Sequence, residues 1–192
     1  MMNTNTKIFV TNLGKYNEGE LYGAWLSLPV DEDDFKEFLK DKVGIGSTDE
    51  FGQPYEEYFI TDYDSDLNCR IGEYENIMKL SELIEDIERD CELNAMNAYF
   101  ESYNNDLQEA YDAISSGYYM LISGVSNEEE LGEHMFEECG YKEILVDMQD
   151  YYSRMKDTRI GIDYEEYIDL KKFGRHMSEN GSFTKYGYFE LY

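Results

Sequence analysis

The chain has 192 residues, of which 43 are acidic and 16 are basic, so its formal net charge at pH 7 is −27. This charge disfavours binding to nucleic acid or to an anionic membrane, and it favours a basic protein surface as the partner. Disorder is disfavoured as well, because 16% of the residues are aromatic and disordered chains are poor in aromatic residues.

The first part of the chain, residues 1–70, predicts a small α/β domain. Patterns of β-branched and aromatic residues indicate strands at residues 8–10, 24–28 and 57–63. Between the second and third strands, Asp31 is placed to cap a helix. The apolar residues of that helix recur at helical spacing and are Phe35, Phe38, Leu39 and Val43.

The middle part, residues 71–116, predicts a bundle of short helices. The apolar residues of the first helix fall at positions i, i+3, i+7 and i+10, and they are Ile77, Leu80, Ile84 and Ile87. Segments at residues 91–103 and 105–115 combine apolar and acidic faces, and each predicts a further helix.

The last part, residues 117–192, predicts a second α/β domain. Strands are expected at residues 118–122, around Phe183 and at 188–191. Helices are expected at residues 126–138, 142–155 and 163–177. The chain as a whole is therefore expected to have an α+β fold of three small domains with an acidic surface.

The acidic residues are concentrated in one stretch of the sequence. Residues 31–150 contain 34 acidic and 7 basic residues and carry the entire net charge, whereas residues 1–30 and 151–192 together are balanced. Halophilic adaptation or solubility alone would spread acids over the whole surface. Because repulsion among so many like charges destabilises a compact state, the segregation indicates that the acidic stretch imitates a polyanion.

The helix expected at residues 126–138 shows this arrangement most plainly. Ser126 and Glu129 have the spacing of a capping box, and Gly140 is placed to end the helix. Four acids share an arc of about 100° on this helix, and they are Glu129, Glu130, Glu133 and Glu137. No Lys or Arg occurs in residues 100–140, although basic residues at i+4 would stabilise helices there. The absence of basic residues indicates that the negative electrostatic field of this stretch itself serves to bind a partner.

The total charge has the scale of a DNA site, since 43 carboxylates match the phosphates of about twenty base pairs. The acids expected to take the place of phosphates in binding a partner are Asp31, Asp33, Asp34, Asp62, Asp64, Asp66, Glu85, Asp86, Glu88, Asp106, Glu109, Asp112, Glu129, Glu130, Glu133 and Glu137. Trp25 is expected to be a core or interface residue.

A calcium site is a weaker interpretation of some of these acids. Asp62, Asp64, Asp66 and Glu73 occupy positions 1, 3, 5 and 12 of a loop like that of an EF-hand. Leu67, however, stands where the sharp turn of such a loop needs glycine. We expect neither a metal nor a cofactor.

Catalysis is not expected either. The two histidines are His134 and His176. His134 lies five residues from Cys139, which is too far round a helix for a nucleophile and base, and His176 has no evident partner. A zinc site or a catalytic triad therefore has few residues to draw on.

The three cysteines, Cys69, Cys91 and Cys139, are far apart and odd in number, which favours reduced thiols in the cytoplasm over a disulfide framework. No apolar run of 18 residues occurs, so we expect a soluble cytoplasmic protein. The charge-balanced, tyrosine-rich C-terminal segment favours self-association, because two acidic protomers can meet only where their field is weak.

The motif from Asn12 to Trp25, NLGKYNEGELYGAW, closely resembles the N-terminal signature of the ArdA antirestriction proteins, DNA mimics of conjugative elements and phages. Further segments are similar to later parts of the family pattern, in the same order, at residues 57–63, 129–134, 167–169, 173–175 and 181–183. His176 departs from the pattern, since the family often has an acid there.

The resemblance implies an elongated homodimer of three-domain protomers joined through their C-terminal domains, here residues 117–192. It also implies an inhibitor without catalytic residues, which occupies the DNA-binding groove of type I restriction–modification enzymes. The alternative is an acidic interaction protein that sequesters another basic DNA-binding or defence protein.

Overall fold

The computed structural model describes residues 2–156 and 167–192. The chain divides into two compact units, which we call unit 1 (Met1–Gly117) and unit 2 (Tyr118–Tyr192). Both units combine helices with a small antiparallel sheet, which confirms the predicted α+β class. The expected boundary between residues 70 and 71 lies within unit 1, and the three-domain division stays a prediction.

Unit 1 contains a three-stranded sheet and five helices among its described residues. The strands, in the spatial order β2-β1-β3, are β1 (Lys7–Asn12), β2 (Gly23–Ser27) and β3 (Tyr58–Asp64), and both pairings are antiparallel. The helices are α1 (Leu13–Asn17), α2 (Glu32–Asp41), α3 (Ile77–Asp90), α4 (Leu93–Ser102) and α5 (Leu107–Ser115).

The core of unit 1 lies against one face of this sheet. Alternation along the strands buries Ile8, Val10 and Leu26 on the same side. Helix α3 contributes its predicted apolar stripe, and Ile84 and Ile87 are completely buried. Residues 95–100 of α4 are all buried, so this helix lies inside the unit.

Asp31 is the N-cap of α2, as predicted: its carboxylate accepts hydrogen bonds from the backbone N–H groups of Asp33 and Asp34, at 3.0 and 2.8 Å. A side chain oxygen in this position satisfies N–H groups that have no partner within the helix. The acidic first turn also lies at the positive end of the helix dipole.

Buried polar side chains connect the helices of unit 1 to the segments between them. The hydroxyl of Ser81 in α3 accepts from the N–H of Val30 (2.7 Å) and donates to its carbonyl (2.9 Å). Asn97 in α4 donates to the carbonyl of Asp66 (2.9 Å) and accepts from the N–H of Asn68 (2.8 Å). These bonds fix the residue directly before Asp31 and the residue at the end of the acidic segment after β3.

Unit 2 contains a second antiparallel sheet, in the order β4-β6-β5, and three helices among its described residues. Its elements are β4 (Tyr119–Ile122), α6 (Glu128–Glu138), α7 (Tyr141–Lys156), α8 (Leu170–Met177), β5 (Ser182–Thr184) and β6 (Gly187–Leu191). Its core includes a cluster of Ile122, Val125, Leu131, Met135 and Tyr188. Of the helix predicted at 163–177, residues 163–166 lie outside the described residues, and α8 begins at Leu170.

Helices α6 and α8 cross at two glycines. A Cβ atom on Gly132 would lie 1.9 Å from the carbonyl oxygen of Leu170, and one on Gly174 would lie 1.7 Å from that of Glu128. Only glycine allows this approach, because the obstructing atoms belong to the backbone. Beside the crossing, Arg175 donates two hydrogen bonds of 3.0 Å to the carboxylate of Glu128.

The capping box predicted from Ser126 and Glu129 is wrong by one residue. Asn127 is the N-cap of α6, and its side chain accepts from the N–H groups of Glu129 and Glu130. Glu130 in turn accepts from the backbone N–H of Ser126 at 2.7 Å and from its hydroxyl at 2.8 Å. The predicted end of the helix is confirmed, since Gly140 has a φ of 81° after the C-cap residue Cys139.

Candidate acidic interaction surface

The acids at the start of α2 are exposed. Asp31, Asp33 and Asp34 follow one another across the cap and first turn of the helix. Lys36 is the nearby cation, and its Nζ lies 2.6 Å from Glu32 but 4.0 Å from Asp33. The hydrogen bond from Lys36 lowers the pKa of Glu32. The other acids of this turn therefore present their charge to solvent.

Asp62 and Asp64 lie on β3, and the alternation of a strand places both side chains on one face of the sheet. Asp64 pairs with Lys7 at 3.0 Å. Asp66, beyond the end of the strand, accepts a hydrogen bond from the side chain of Asn5. The spacing of two residues among these acids thus reflects an extended strand and not a calcium-binding loop.

Helix α3 uses its predicted acids in different ways. Glu85 is exposed. Asp86 pairs with Arg89 at 2.6 Å, and Arg89 also lowers the pKa of Asp90 through hydrogen bonds. Glu88 is half-buried and accepts from the N–H (2.8 Å) and hydroxyl (3.0 Å) of Thr4. Its carboxylate holds the N-terminal segment, while the part it takes in partner binding stays a prediction.

Three exposed acids lie on α5. Asp106 caps the helix by accepting from the N–H of Glu109 at 2.9 Å. The carboxylates of Glu109 and Asp112 accept from the side-chain amides of Asn104 (2.7 Å) and Gln108 (2.9 Å). These bonds come from neutral donors, so the negative charge of both carboxylates is not compensated by them.

Helix α6 presents Glu129, Glu133 and Glu137 to solvent on one face. Glu137 has a basic partner, Lys142, at 3.0 Å. Glu130 turns back to Ser126, and the hydrogen bond from that backbone N–H lowers its pKa. The opposite side of the helix carries Leu131 and Met135 into the core.

The described ion pairs leave most of this charge uncompensated. In the ion pairs of Lys7, Lys36 and Arg89, both partners are exposed to solvent. Such pairs are weak and are screened by salt. In unit 2, the hydrogen bonds from Arg175 lower the pKa of Glu128, so this carboxylate stays charged well below neutral pH. A negative surface over both units stays a prediction.

The structure gives little support to other chemistry. Within the described ranges, no group of three or more His, Cys, Asp or Glu side chains is placed to hold a metal ion. Burial raises the pKa of the Cys69 and Cys91 thiols to about 11, which makes them poor nucleophiles at neutral pH. A groove of about 800 Å³ in unit 1 is lined by residues of both charges, including Arg70, Lys79 and Asp106.

Two exposed acids are missing from the candidates predicted from the sequence. Glu32 and Asp90 are acids at the surface of helices that a helical projection would have added to the candidates. Trp25 was expected to be a core or interface residue; its 45% exposure on β2 excludes the core, and the interface stays a prediction. Its exposure follows from strand register, for which a short strand gives only a weak signal.

The sequence profile of the antirestriction protein (ArdA) family matches residues 8–190. The chain belongs to the ArdA antirestriction family. The match covers nearly the whole chain and confirms the resemblance first seen in the motif of residues 12–25. No curated protein matches this ArdA-family chain significantly. In the part of it that the structure describes, each helix is too short or too polar to cross a membrane.

Proposed function

We propose that this protein is a DNA mimic that inhibits type I restriction–modification enzymes by occupying their DNA-binding groove. The observation that carries the proposal is the exposed face of α6, on which Glu129, Glu133 and Glu137 follow one another in a stretch, residues 100–140, that contains no Lys or Arg. An ordinary exposed helix would include basic residues there.

The charge density of α6 supports the comparison with DNA. Its 11 residues span about 16 Å and include six acids. One strand of duplex DNA carries a phosphate for about every 3.4 Å of axis, so α6 is at least as densely charged. A protein groove lined with Lys and Arg to bind phosphates would attract such a surface.

Membership of the family supports this choice of target. ArdA proteins are antirestriction proteins, and the groove that a DNA mimic would occupy belongs to the methyltransferase core of a type I enzyme as well as to the holoenzyme. Inhibition needs no catalytic group in this protein, because excluding DNA is sufficient. We place this activity in the cytoplasm, where the enzyme meets incoming DNA.

Competition for DNA tests the proposal. A purified type I methyltransferase is mixed with a labelled target duplex, and the protein is added at low and at physiological salt. We expect the duplex to be displaced, with an affinity that falls steeply as salt rises. Retention of the duplex at a several-fold excess of the protein in low salt overturns the proposal. Capture of a different basic DNA-binding protein from a bacterial lysate, with no effect on the methyltransferase, favours the alternative.

We also propose that two copies associate through α7. Ile144, Met148 and Tyr151 recur at i, i+4 and i+7 and are all more than half exposed, forming an apolar stripe. The following C-terminal segment is charge-balanced, so repulsion between protomers is weakest near this helix.

Sedimentation velocity of the variant Met148→Asp tests the proposed association through α7. The control is Val146→Asp, which lies off the stripe. We expect a dimer for the control and a monomer for Met148→Asp; a monomeric wild type contradicts the proposal.

A further inference from the structure

The outer face of the unit 1 sheet carries an ordered set of side chains that faces away from the core. Strand pairing places Trp25 on β2 opposite Phe9 on β1, and Phe9 opposite Asp62 on β3. In the next row, Lys7 on β1 lies opposite Asp64 on β3. Directly paired residues share a face of a sheet, so this face, which we call the tryptophan face, combines two aromatic rings with two carboxylates.

Trp25 is held in position although it is exposed. The edge of one ring meets the face of the other, since the centroids of Trp25 and Phe9 are 5.4 Å apart at 77°. Phe9 in turn lies over Gly23, where a Cβ atom would be 3.0 Å from its ring. A large exposed aromatic side chain that is already ordered loses little entropy on binding, and such residues dominate many interfaces.

The chain itself places a cation on this face. The Nζ atom of Lys7 lies 5.5 Å from the centroid of the Trp25 ring and 3.0 Å from a carboxylate oxygen of Asp64. An aromatic face and a carboxylate together are the groups that bind a cationic side chain. Asp62, in the row of Trp25, has no basic partner among the described residues, and its carboxylate accepts from the N–H of Tyr63.

We infer that the tryptophan face is a docking site for an arginine side chain. This arginine belongs to the DNA-binding protein whose groove the inhibitor occupies. The inference rests on the proposed function, to which it adds a contact that DNA itself does not make. Arginine fits better than lysine, because its planar guanidinium stacks on an aromatic ring while donating two hydrogen bonds to a carboxylate. Lys7 occupies part of this position in the free protein and is displaced by the guanidinium.

Loss of the ring is the first test. In the competition assay with the methyltransferase and labelled duplex, we expect Trp25→Ala to weaken inhibition about tenfold. The matched control is Phe51→Ala, which removes an aromatic side chain that is 80% exposed in a loop of the same unit and should change inhibition less than twofold. Circular dichroism verifies that both variants are folded. Equal inhibition by both variants overturns the inference.

Removal of the internal cation gives a test of opposite sign. Lys7→Gln frees both the ring and Asp64, whereas Lys36→Gln removes the same charge from a helix on which the lysine pairs with Glu32. We expect Lys7→Gln to inhibit about threefold more strongly than Lys36→Gln, the range of an exposed cation–π contact. If Lys7→Gln inhibits no more strongly than Lys36→Gln, then Lys7 is not displaced by an arginine of the partner.

A third measurement does not depend on the restriction enzyme. Trp25 is the only tryptophan, so fluorescence excited at a wavelength that tyrosine does not absorb reports on this face alone. We expect hexa-arginine to change its emission at lower concentration than hexalysine, and Asp62→Asn to reduce that difference. An identical response to both peptides overturns the inference. If wild type fails to displace DNA while the peptides still differ, the proposed target is wrong and the arginine site stands.

Discussion

The two units hold their acidic segments by different means. In unit 1, buried polar side chains on α3 and α4, Ser81 and Asn97, bind the backbone of the segments that carry Asp31 and Asp66. In unit 2, α6 lies against α8 through a backbone contact at Gly132 and Gly174. Separate hydrogen bonds therefore fix two acidic segments of unit 1, whereas the close packing of two helices positions α6 in unit 2.

This difference predicts how each unit responds to mutation. The hydrogen bonds of unit 1 act on short segments, so losing one should loosen a few residues. The glycine contact of unit 2 supports the whole of α6 with its row of acids, and Leu131 and Met135 of this helix pack into the core beneath it. A single added methyl group there should disturb a whole helix.

Gly174→Ala should have the largest effect. Its methyl group would overlap the carbonyl of Glu128 and the N–H of Gly132, and we expect a loss of about 3 kcal/mol in the free energy of unfolding. Amide hydrogen exchange should show α6 and α8 opening while α3 stays protected. Gly72→Ala is the control, because its methyl group would meet only the flexible side chain of Glu75 at 3.2 Å. Unchanged exchange in α6 would contradict the packing argument.

Asn97→Ala should destabilise unit 1 by about 2 kcal/mol, because it removes two hydrogen bonds from buried positions. We expect faster exchange at the amide of Asn68 and no change in α6. Gln108→Ala serves as control, since its side chain bonds only to exposed Asp112 and should move stability little. If both variants lower the free energy of unfolding in urea by the same amount, the burial of Asn97 does not account for its contribution to stability.

The triple variant Glu129→Gln, Glu133→Gln, Glu137→Gln neutralises the exposed face of α6 and should weaken inhibition about tenfold. This estimate assumes that each charge contributes from about a few tenths to one kcal/mol to the binding free energy. Glu133→Gln alone should change inhibition about twofold. In unit 1, the double variant Asp33→Asn, Asp34→Asn should weaken it about fivefold. The competition assay measures all three. Abolition of inhibition by one substitution in a folded protein would indicate a discrete site instead of a distributed one.

Alkaline pH should produce the smallest effect, through one tyrosine in each unit. Tyr55 donates to both carboxylate oxygens of Glu18, which raises its pKa to about 12, and burial raises the pKa of Tyr188. Because the folded state favours the protonated phenol, this stabilisation is complete below pH 10, the ordinary value, and for Tyr55 is lost between pH 10 and about 12.

Tyr55→Phe should therefore be less stable than wild type at pH 8 and lose less stability than wild type between pH 10 and 12. Tyr188→Phe should behave in the same way in unit 2. Tyr74→Phe, in which the exposed ring of Tyr74 is kept, is the control. The measurement is the denaturant midpoint of each variant across this pH range. Parallel curves of midpoint against pH for wild type and Tyr55→Phe would show that Tyr55 does not cause the loss of stability.

Local features of the fold were predictable from the sequence. The cap at Asp31, the buried stripe of α3 and the end of α6 at Gly140 all occur where the patterns placed them. These features depend on residues within a few positions of one another, and the physics of helix ends and helix periodicity acts over that range.

Individual functions of the acids were less predictable. Glu88 and Glu130 carry the same charge as their neighbours, yet each binds groups that lie beside it in the fold, Thr4 and Ser126. Likewise, Ser126 and Asn127 are both good N-caps, and only hydrogen-bond geometry selected Asn127. A charge pattern records where carboxylates occur but not which donors they meet.

By itself the sequence determined the family, the α+β class and the concentration of negative charge, because motifs, periodicity and composition are properties of the chain. Tertiary structure alone decided that Trp25 shares the outer face of the sheet with Phe9, and that Gly132 meets Gly174. Each of these depends on which distant segments pair, and pairing is fixed by packing over the whole unit.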